Sequence, residues 1–395
     1  MQKLSGDINP QKIPVDKPLS KPVSEPGIQD SQQAKTTPTT TSETPSYVRL
    51  LNSKDISDAL VKLQKTVTPQ NKQILTTMLL YGVETSQEAF ELIEKMVKGS
   101  DKGNKLESSV IAYSKGLEGN PKAVDIISKF LSHNVQFSGS LASLSQGLQG
   151  LKQSLPGYAS FLDPSLIAGI AGFLDDFIED TKLLKKHADN LDIKELIQKQ
   201  SSLVQDLRYL QDFLKGIGKK LDASNNLMAN TLKEAIQMLD KDSRVFHDVL
   251  LTQLILSKNP ANQLIAEEFF HYFMIPNPMA TAQKDLELMI SKDPKNKKRV
   301  NPDKTTIVIK CETSDLGDLT IIIEINDKKM AYKIYTSSEL TQKFVIDETP
   351  ELKQSMEELS YDVTSIQALK KVINIEKLLL PTFNLNSIKR ISTEA

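Results

Sequence analysis

The stretch Ile307-Val-Ile-Lys-Cys311-Glu-Thr-Ser-Asp-Leu316-Gly317-Asp-Leu-Thr-Ile-Ile-Ile-Glu-Ile325 decides the fold. Apolar residues fall at every second position on both sides of a Leu-Gly pair: Ile307, Ile309 and Cys311 before it, and Leu319, Ile321, Ile323 and Ile325 after it. Successive side chains of a strand point to opposite faces, whereas a helix repeats near every 3.6 residues, so the pattern predicts two strands joined by a tight bend. The alternation resumes on either side, with Leu286, Leu288 and Ile290 upstream and Met330, Tyr332 and Ile334 downstream. Asn326-Asp327-Lys328-Lys329 reads as the turn between the last two strands. Thr349-Pro350 then marks a helix start carrying Leu352, Met356 and Leu359, and Tyr361-Asp362-Val363 returns to extended chain. The sum is an α+β fold in which residues 275–372 form a small domain, an antiparallel sheet packed on a helix.

Upstream, residues 47–274 read as a helical middle region. Thr68-Pro69 supplies an N-cap and a proline at the first helical position, followed by Ile74, Leu75, Met78 and Leu79, with Gly82 as the stop. Ser86 opens a second helix with Phe90, Ile93 and Val97 inward and Gly99 at its end, and Pro121 to Leu131 gives a third. Leu141, Leu144, Leu148, Leu151 and Leu155 step by three and four, as do Leu196, Leu203, Leu207, Leu210 and Leu214. These stripes predict helices packed mainly within the chain, with pairing to a partner helix as the lesser reading. Gly169-Ile170-Ala171-Gly172 suggests a buried, tightly packed helix, and charges at Asp163 and Asp175 make it too short for a membrane span.

Residues 1–46 contain seven prolines, many polar residues and no aromatic residue. Such a stretch buries too little surface to offset backbone ordering of about 1–2 kcal/mol per residue, so it is expected to be a disordered leader. It is either a linker or a segment that an export machine can thread. The tail at 373–395 is undecided. The 395 residues carry 49 basic and 50 acidic side chains, a net charge of −1, so no global field favours nucleic acid or an anionic membrane. A single cysteine rules out an intrachain disulfide and fits a reducing compartment. The first residues lack the apolar stretch of a secretory signal, and no window is long enough for membrane insertion.

Little in the chain points to chemistry. His133, His187, His247 and His271 are far apart and read as helix-surface or boundary residues rather than metal ligands. Phosphate-binding glycine motifs and a nucleophile elbow are absent, and Cys311 has the inward parity of a core residue. Asp175-Asp176 and Glu267-Glu268 are adjacent pairs, which do not face one another on a helix. The run from Lys292 to Lys304 reads as a solvated loop, with a docking patch for an acidic partner as the lesser reading and nucleic-acid binding as the least, since no aromatic platform interleaves with it. The expectation is a protein without catalytic, cofactor or metal site, whose work is contact.

The stretch from Ile307 to Ile325, with Met330 to Tyr335, Leu352 to Leu359 and Tyr361, resembles the C-terminal domain of flagellar hook-length control proteins, especially Gram-positive ones. In that family a strand ends in a turn carrying Leu-Gly, two strands follow, and then comes a leucine-rich helix closed by Gly-Tyr. Many members have proline where Thr313 stands, and Ser360 occupies the place of the glycine before Tyr361. The segments from Val67 to Gly82 and from Thr85 to Met96 are similar to helical repeats in the middle regions of such proteins. The resemblance implies a cytoplasmic protein exported through the flagellar type III apparatus, without a cleaved signal peptide, while the hook grows. Its C-terminal domain would contact the export-gate switch protein and change substrate class, and hook or hook-cap subunits are further partners. Leu316, Gly317 and Asp318 would meet that partner. Leu319, Ile321, Ile323, Leu352, Leu359 and Tyr361 would hold the bend in place. Alternatives are a cytoplasmic helical scaffold that pairs through Leu196 to Leu214, and a length-control protein of a phage tail or a non-flagellar injectisome.

Overall fold

Helix starts are set by side chains that accept from otherwise unpaired N–H groups. Thr68 Oγ1 accepts from Asn71 N at 3.1 Å, Ser86 Oγ from Ala89 N at 3.1 Å, and Asn120 Oδ1 from Ala123 N at 3.2 Å. They open α2 (Pro69–Leu80), α3 (Gln87–Val97) and α5 (Pro121–Leu131), with α1 (Ser53–Lys62) before and α4 (Lys105–Ser114) between. Four longer helices follow: α6 (Phe137–Ser154), α7 (Pro164–Asp189), α8 (Ile193–Leu221) and α9 (Leu227–Ser257). This computed structural model describes residues 53–98, 104–160, 162–190, 192–221, 227–261, 269–277, 285–293 and 299–379. The leader at 1–46, Gly99, Lys295, Lys297, Lys298 and the chain beyond Leu379 lie outside the described residues.

Both leucine stripes are buried inside this one chain. Leu196, Leu203, Leu207, Leu210 and Leu214 of α8 belong to the same core as Leu141, Leu144, Leu148 and Leu151 of α6. A scaffold pairing through the α8 stripe therefore has no free face to use. The expected burial around Gly169 does not hold. Of the four residues 169–172 only Ile170 is buried, and a Cβ on either glycine would meet nothing within 4 Å. The apolar run is the inward stripe of a surface helix, and its glycines face outward. Among the histidines, His247 is buried on α9 rather than placed at a boundary.

The sheet has six strands in sequential order: β1 (Phe270–Pro276), β2 (Asp285–Ser291), β3 (Lys304–Thr313), β4 (Gly317–Asn326), β5 (Lys329–Thr336) and β6 (Asp362–Lys370). The first five form an antiparallel meander. Asp327 at φ +55° turns β4 into β5 where Asn326 pairs with Lys329. β6 runs parallel to β5, unlike the expected all-antiparallel pairing. The intervening helices α10 (Glu339–Asp347) and α11 (Thr349–Glu358) form the crossover that a parallel pair requires.

A boundary at 274/275 passes through β1, because the helices and the sheet share a core. Tyr272, Met274, Met289 and Val308 pack into the same buried cluster as the helices, and the Tyr272 ring meets Phe130 of α5 edge-on, with centroids 5.7 Å apart. The outer edge of β1 is closed by α9, since Tyr272 N donates to Ser257 Oγ at 2.8 Å and Met274 N to Gln253 Oε1 at 3.2 Å. A covered edge cannot template pairing with another chain. The opposite face of β4–β6 carries a second, smaller core of Met330, Tyr332, Ile334 and Val363, flanked by Ile321, Ile323, Val345, Leu352, Met356 and Tyr361.

Lysines close the C-terminal end of α9. The Lys115 ammonium donates to the carbonyls of Leu256 at 3.0 Å and Lys258 at 2.6 Å, and Lys258 Nζ to Gly116 O at 3.1 Å. Lys292 Nζ donates to Ser257 O and to Asn259 Oδ1. The carbonyls of Leu256, Ser257 and Lys258 lie at the unpaired negative end of α9, while Gly116 O belongs to the turn after α4. Burial lowers the Lys115 pKa to about 7, helped by the charges of Lys292 and Lys258, and burial lowers that of Lys292 to about 8.

α11 ends in a left-handed residue. Ser360 has φ +66°, with its N–H on Glu357 O at 2.9 Å and that of Tyr361 on Met356 O at 3.0 Å. This is the closing position at which glycine is strain-free. Ser360→Gly is therefore expected to raise stability by about 0.5–1 kcal/mol, read as a higher urea midpoint. An unchanged or lower midpoint would contradict that geometry.

Candidate contact surface

The bend between β3 and β4 is built by its own polar side chains. Thr313 Oγ1 accepts from Leu316 N at 3.0 Å and lies 3.4 Å from Gly317 O, where Thr313 and Gly317 are register partners. Thr313 thus closes the bend with a side chain where a proline would close it by restricting the backbone. Gly317 has φ +70°, and a Cβ there would lie 3.2 Å from Ser337 Oγ, so backbone and neighbour both favour glycine.

Behind the bend, α10 acts as a buttress. Ser338 caps it by accepting from Thr341 N at 3.0 Å, and Thr341 Oγ1 donates to Leu316 O at 3.0 Å. On the other side Asn277 Nδ2 donates to Glu312 O at 2.7 Å. Glu312, Ser314, Asp315 and Asp318 stay exposed, while Leu316 and Gly317 are half-buried. The bend is thus held from beneath by α10 and presented outward.

The residues expected to support it divide into three groups. Leu319 is buried against the main core. Ile321, Ile323, Leu352 and Tyr361 are half-buried around the second core, so they reach the bend only through the sheet and helices. Leu359 is 64% exposed and supports nothing. The leucine spacing extends one step past Glu358, where α11 ends, and Leu359 falls at the cap pointing away.

Sequence reasoning missed α10, although Ser338 followed by Thr341 carried a capping signal. The outer face of α10 and α11 exposes Leu340 at 83%, Phe344 at 47% and Ile346 at 54%. Residues 339–359 carry six carboxylates and two lysines. Glu339 pairs with Lys370 of β6 at 2.8 Å.

A cavity of about 500 Å³ opens on the opposite sheet face, lined in part by Tyr272, Asp285, Glu287, Lys310 and Asp318. Its inner carboxylates serve the fold. Asp285 accepts from Phe137 N at 2.6 Å, Ser138 N at 2.8 Å and Ser138 Oγ at 2.5 Å, capping α6 from across the sequence. Burial raises the Asp285 pKa, and these bonds oppose the rise. Glu287 accepts from Tyr272 Oη at 2.7 Å and Lys310 Nζ at 2.9 Å. Cys311 is buried in the core, and burial, then the Asp318 charge, raises its pKa. Among the described residues no cluster of potential metal ligands occurs, and no helix is long and apolar enough to cross a membrane. No family model, curated protein or solved structure matches the chain.

Proposed function

We propose that this chain is a non-enzymatic hook-length and export-switch protein, exported through a flagellar type III apparatus, whose β3–β4 bend meets the export gate. The observation that carries this reading is the bend itself. A Leu-Gly pair closes the longest strand pair of the sheet, glycine is favoured by a positive φ, and Asp315 and Asp318 of the bend are exposed. Ser360 adds support, because its left-handed backbone stands where hook-length proteins have glycine. The order of strand, Leu-Gly bend, two strands and leucine-bearing helix before Tyr361 is also that of the resemblance.

Export imposes a physical condition. The helices and most of the sheet share one core, so passage through a narrow channel requires the whole fold to open rather than one domain at a time. A length-measuring role for residues 47–274 then belongs to the unfolded chain in transit. Full-length protein is expected in the culture medium of a motile strain and is expected to be retained in an export-deficient mutant. Immunoblots of medium and cells check this, and retention in both strains would remove the export reading.

A further inference from the structure

The bend is small, and the surface beside it is larger and chemically more distinctive. Leu340, Phe344, Ile346 and Leu359 are four large apolar side chains left exposed within twenty residues. Scattered exposed apolar residues are ordinary, but Leu340 and Phe344 share one side of α10, and an apolar pair of that size left on the surface marks a contact. The inward positions of α10 and α11 are already filled by Thr341, Val345, Leu352 and Met356, so these four are surplus to the fold. Leu340 and Phe344 are one turn apart on α10, next to Thr341, which holds Leu316 of the bend.

Around them the charge is one-sided. Six carboxylates against two lysines give residues 339–359 a net charge of −4, in a chain whose total is −1. The bend adds Asp315 and Asp318, both exposed. Glu339 is held by Lys370 and Glu357 lies 4.0 Å from Lys353, but Asp347, Glu348, Glu351 and Glu358 have no ion pair among the described residues. Leu340 and Phe344, spaced by a helical turn on a segment whose excess of carboxylates Lys343 only partly offsets, fit an amphipathic helix of opposite charge.

We infer that the outer face of α10 and α11 docks a lysine- or arginine-bearing amphipathic helix of the export-gate partner, with Leu340 and Phe344 as apolar anchors and the carboxylates as the charged rim. This rests on the hook-length reading for the partner's identity, and on the surface itself for its chemistry. The bend then supplies one edge of a contact whose centre lies on α10.

The test uses the full chain in cells building hooks, with a photo-crosslinking phenylalanine analogue at Phe344, at Asp318 of the bend, or at Tyr209 on distant α8. All three are exposed positions, so the fold is retained. Expected is an adduct from position 344 to a basic segment of the export-gate protein with apolar residues at helical spacing, and none from 209. In purified components, Glu351→Lys with Glu357→Lys should lower the yield at 344 about tenfold, and so should raising NaCl from about 50 to about 500 mM. An adduct from 318 without one from 344, or one from 344 to an acidic or neutral segment, overturns this inference and leaves the hook-length reading standing. So does a yield indifferent to charge reversal. Absence of any export-gate adduct from both 318 and 344 overturns both.

Discussion

Replacing Tyr272 by alanine should destabilise the folded chain by about 3–5 kcal/mol, the usual cost of truncating a fully buried large aromatic residue. Its ring is inaccessible to solvent, stands edge-on to Phe130 at an interplanar angle of 75°, and carries a hydroxyl bonded to Glu287. Truncation would leave a cavity between α5 and β1 and remove one of the two donors that satisfy Glu287. The effect should be shared. α9 holds the edge of β1 through Ser257 and Gln253, so loosening β1 loosens the longest helix as well. Urea unfolding followed by circular dichroism for helix and by the infrared amide band for sheet should give coincident transitions, both shifted in the variant. Two separate transitions, with only the sheet affected, would mean that the C-terminal strands fold alone.

The second large effect is a rise in stability with pH. Lys115 binds its proton less tightly in the folded chain, at about 7, than its ordinary value of 10.5. Between these values the unfolded chain holds more protons than the folded one, and stability rises with pH wherever that is so. From pH 7 to pH 9 the gain from Lys115 is about 2 kcal/mol. Lys292 acts in the same direction from about 8 upward. The neutral amine keeps two hydrogens for the carbonyls of Leu256 and Lys258, so the end of α9 stays capped without the buried charge. Above pH 9 the raised pKa of Cys311 opposes the gain, because the unfolded thiol ionises first. Urea midpoints at pH 7, 8 and 9 should climb in the native sequence and climb clearly less in Lys115→Met, where only the lowered pKa of Lys292 remains. A native midpoint that falls over this range would show that the amine is not desolvated as the geometry implies.

The strands from 304 to 336 were legible because alternation and the two turns are local signals, and the starts of α2, α3 and α5 at Thr68-Pro69, Ser86 and Pro121 were legible for the same reason. β1 was not, since Phe270-His-Tyr-Phe-Met-Ile-Pro276 is an apolar run broken only by His271, and a strand buried on both faces shows no period of two. β6 was only half legible. Few of its residues are buried, and its parallel partner is fixed by the α10–α11 crossover rather than by its own sequence. α10 escaped because its inward residues include a threonine while its leucine and phenylalanine face out. That reversal of the usual pattern is what makes it a candidate contact. The bend itself could be read from Leu316-Gly317, but Thr341 beneath it, and Asp285 capping α6 from nearly 150 residues away, depend on tertiary placement.

If the bend and its flank govern when export switches, as we propose, hook length should follow changes made to them. Leu316→Ala with Asp318→Ala alters the presented side chains and keeps Gly317, whose backbone an alanine would strain. Electron micrographs of hooks from cells carrying this variant should show lengths spread well beyond the native distribution, while the protein still reaches the medium. Hooks of native length, with the variant exported in native amounts, would contradict the account.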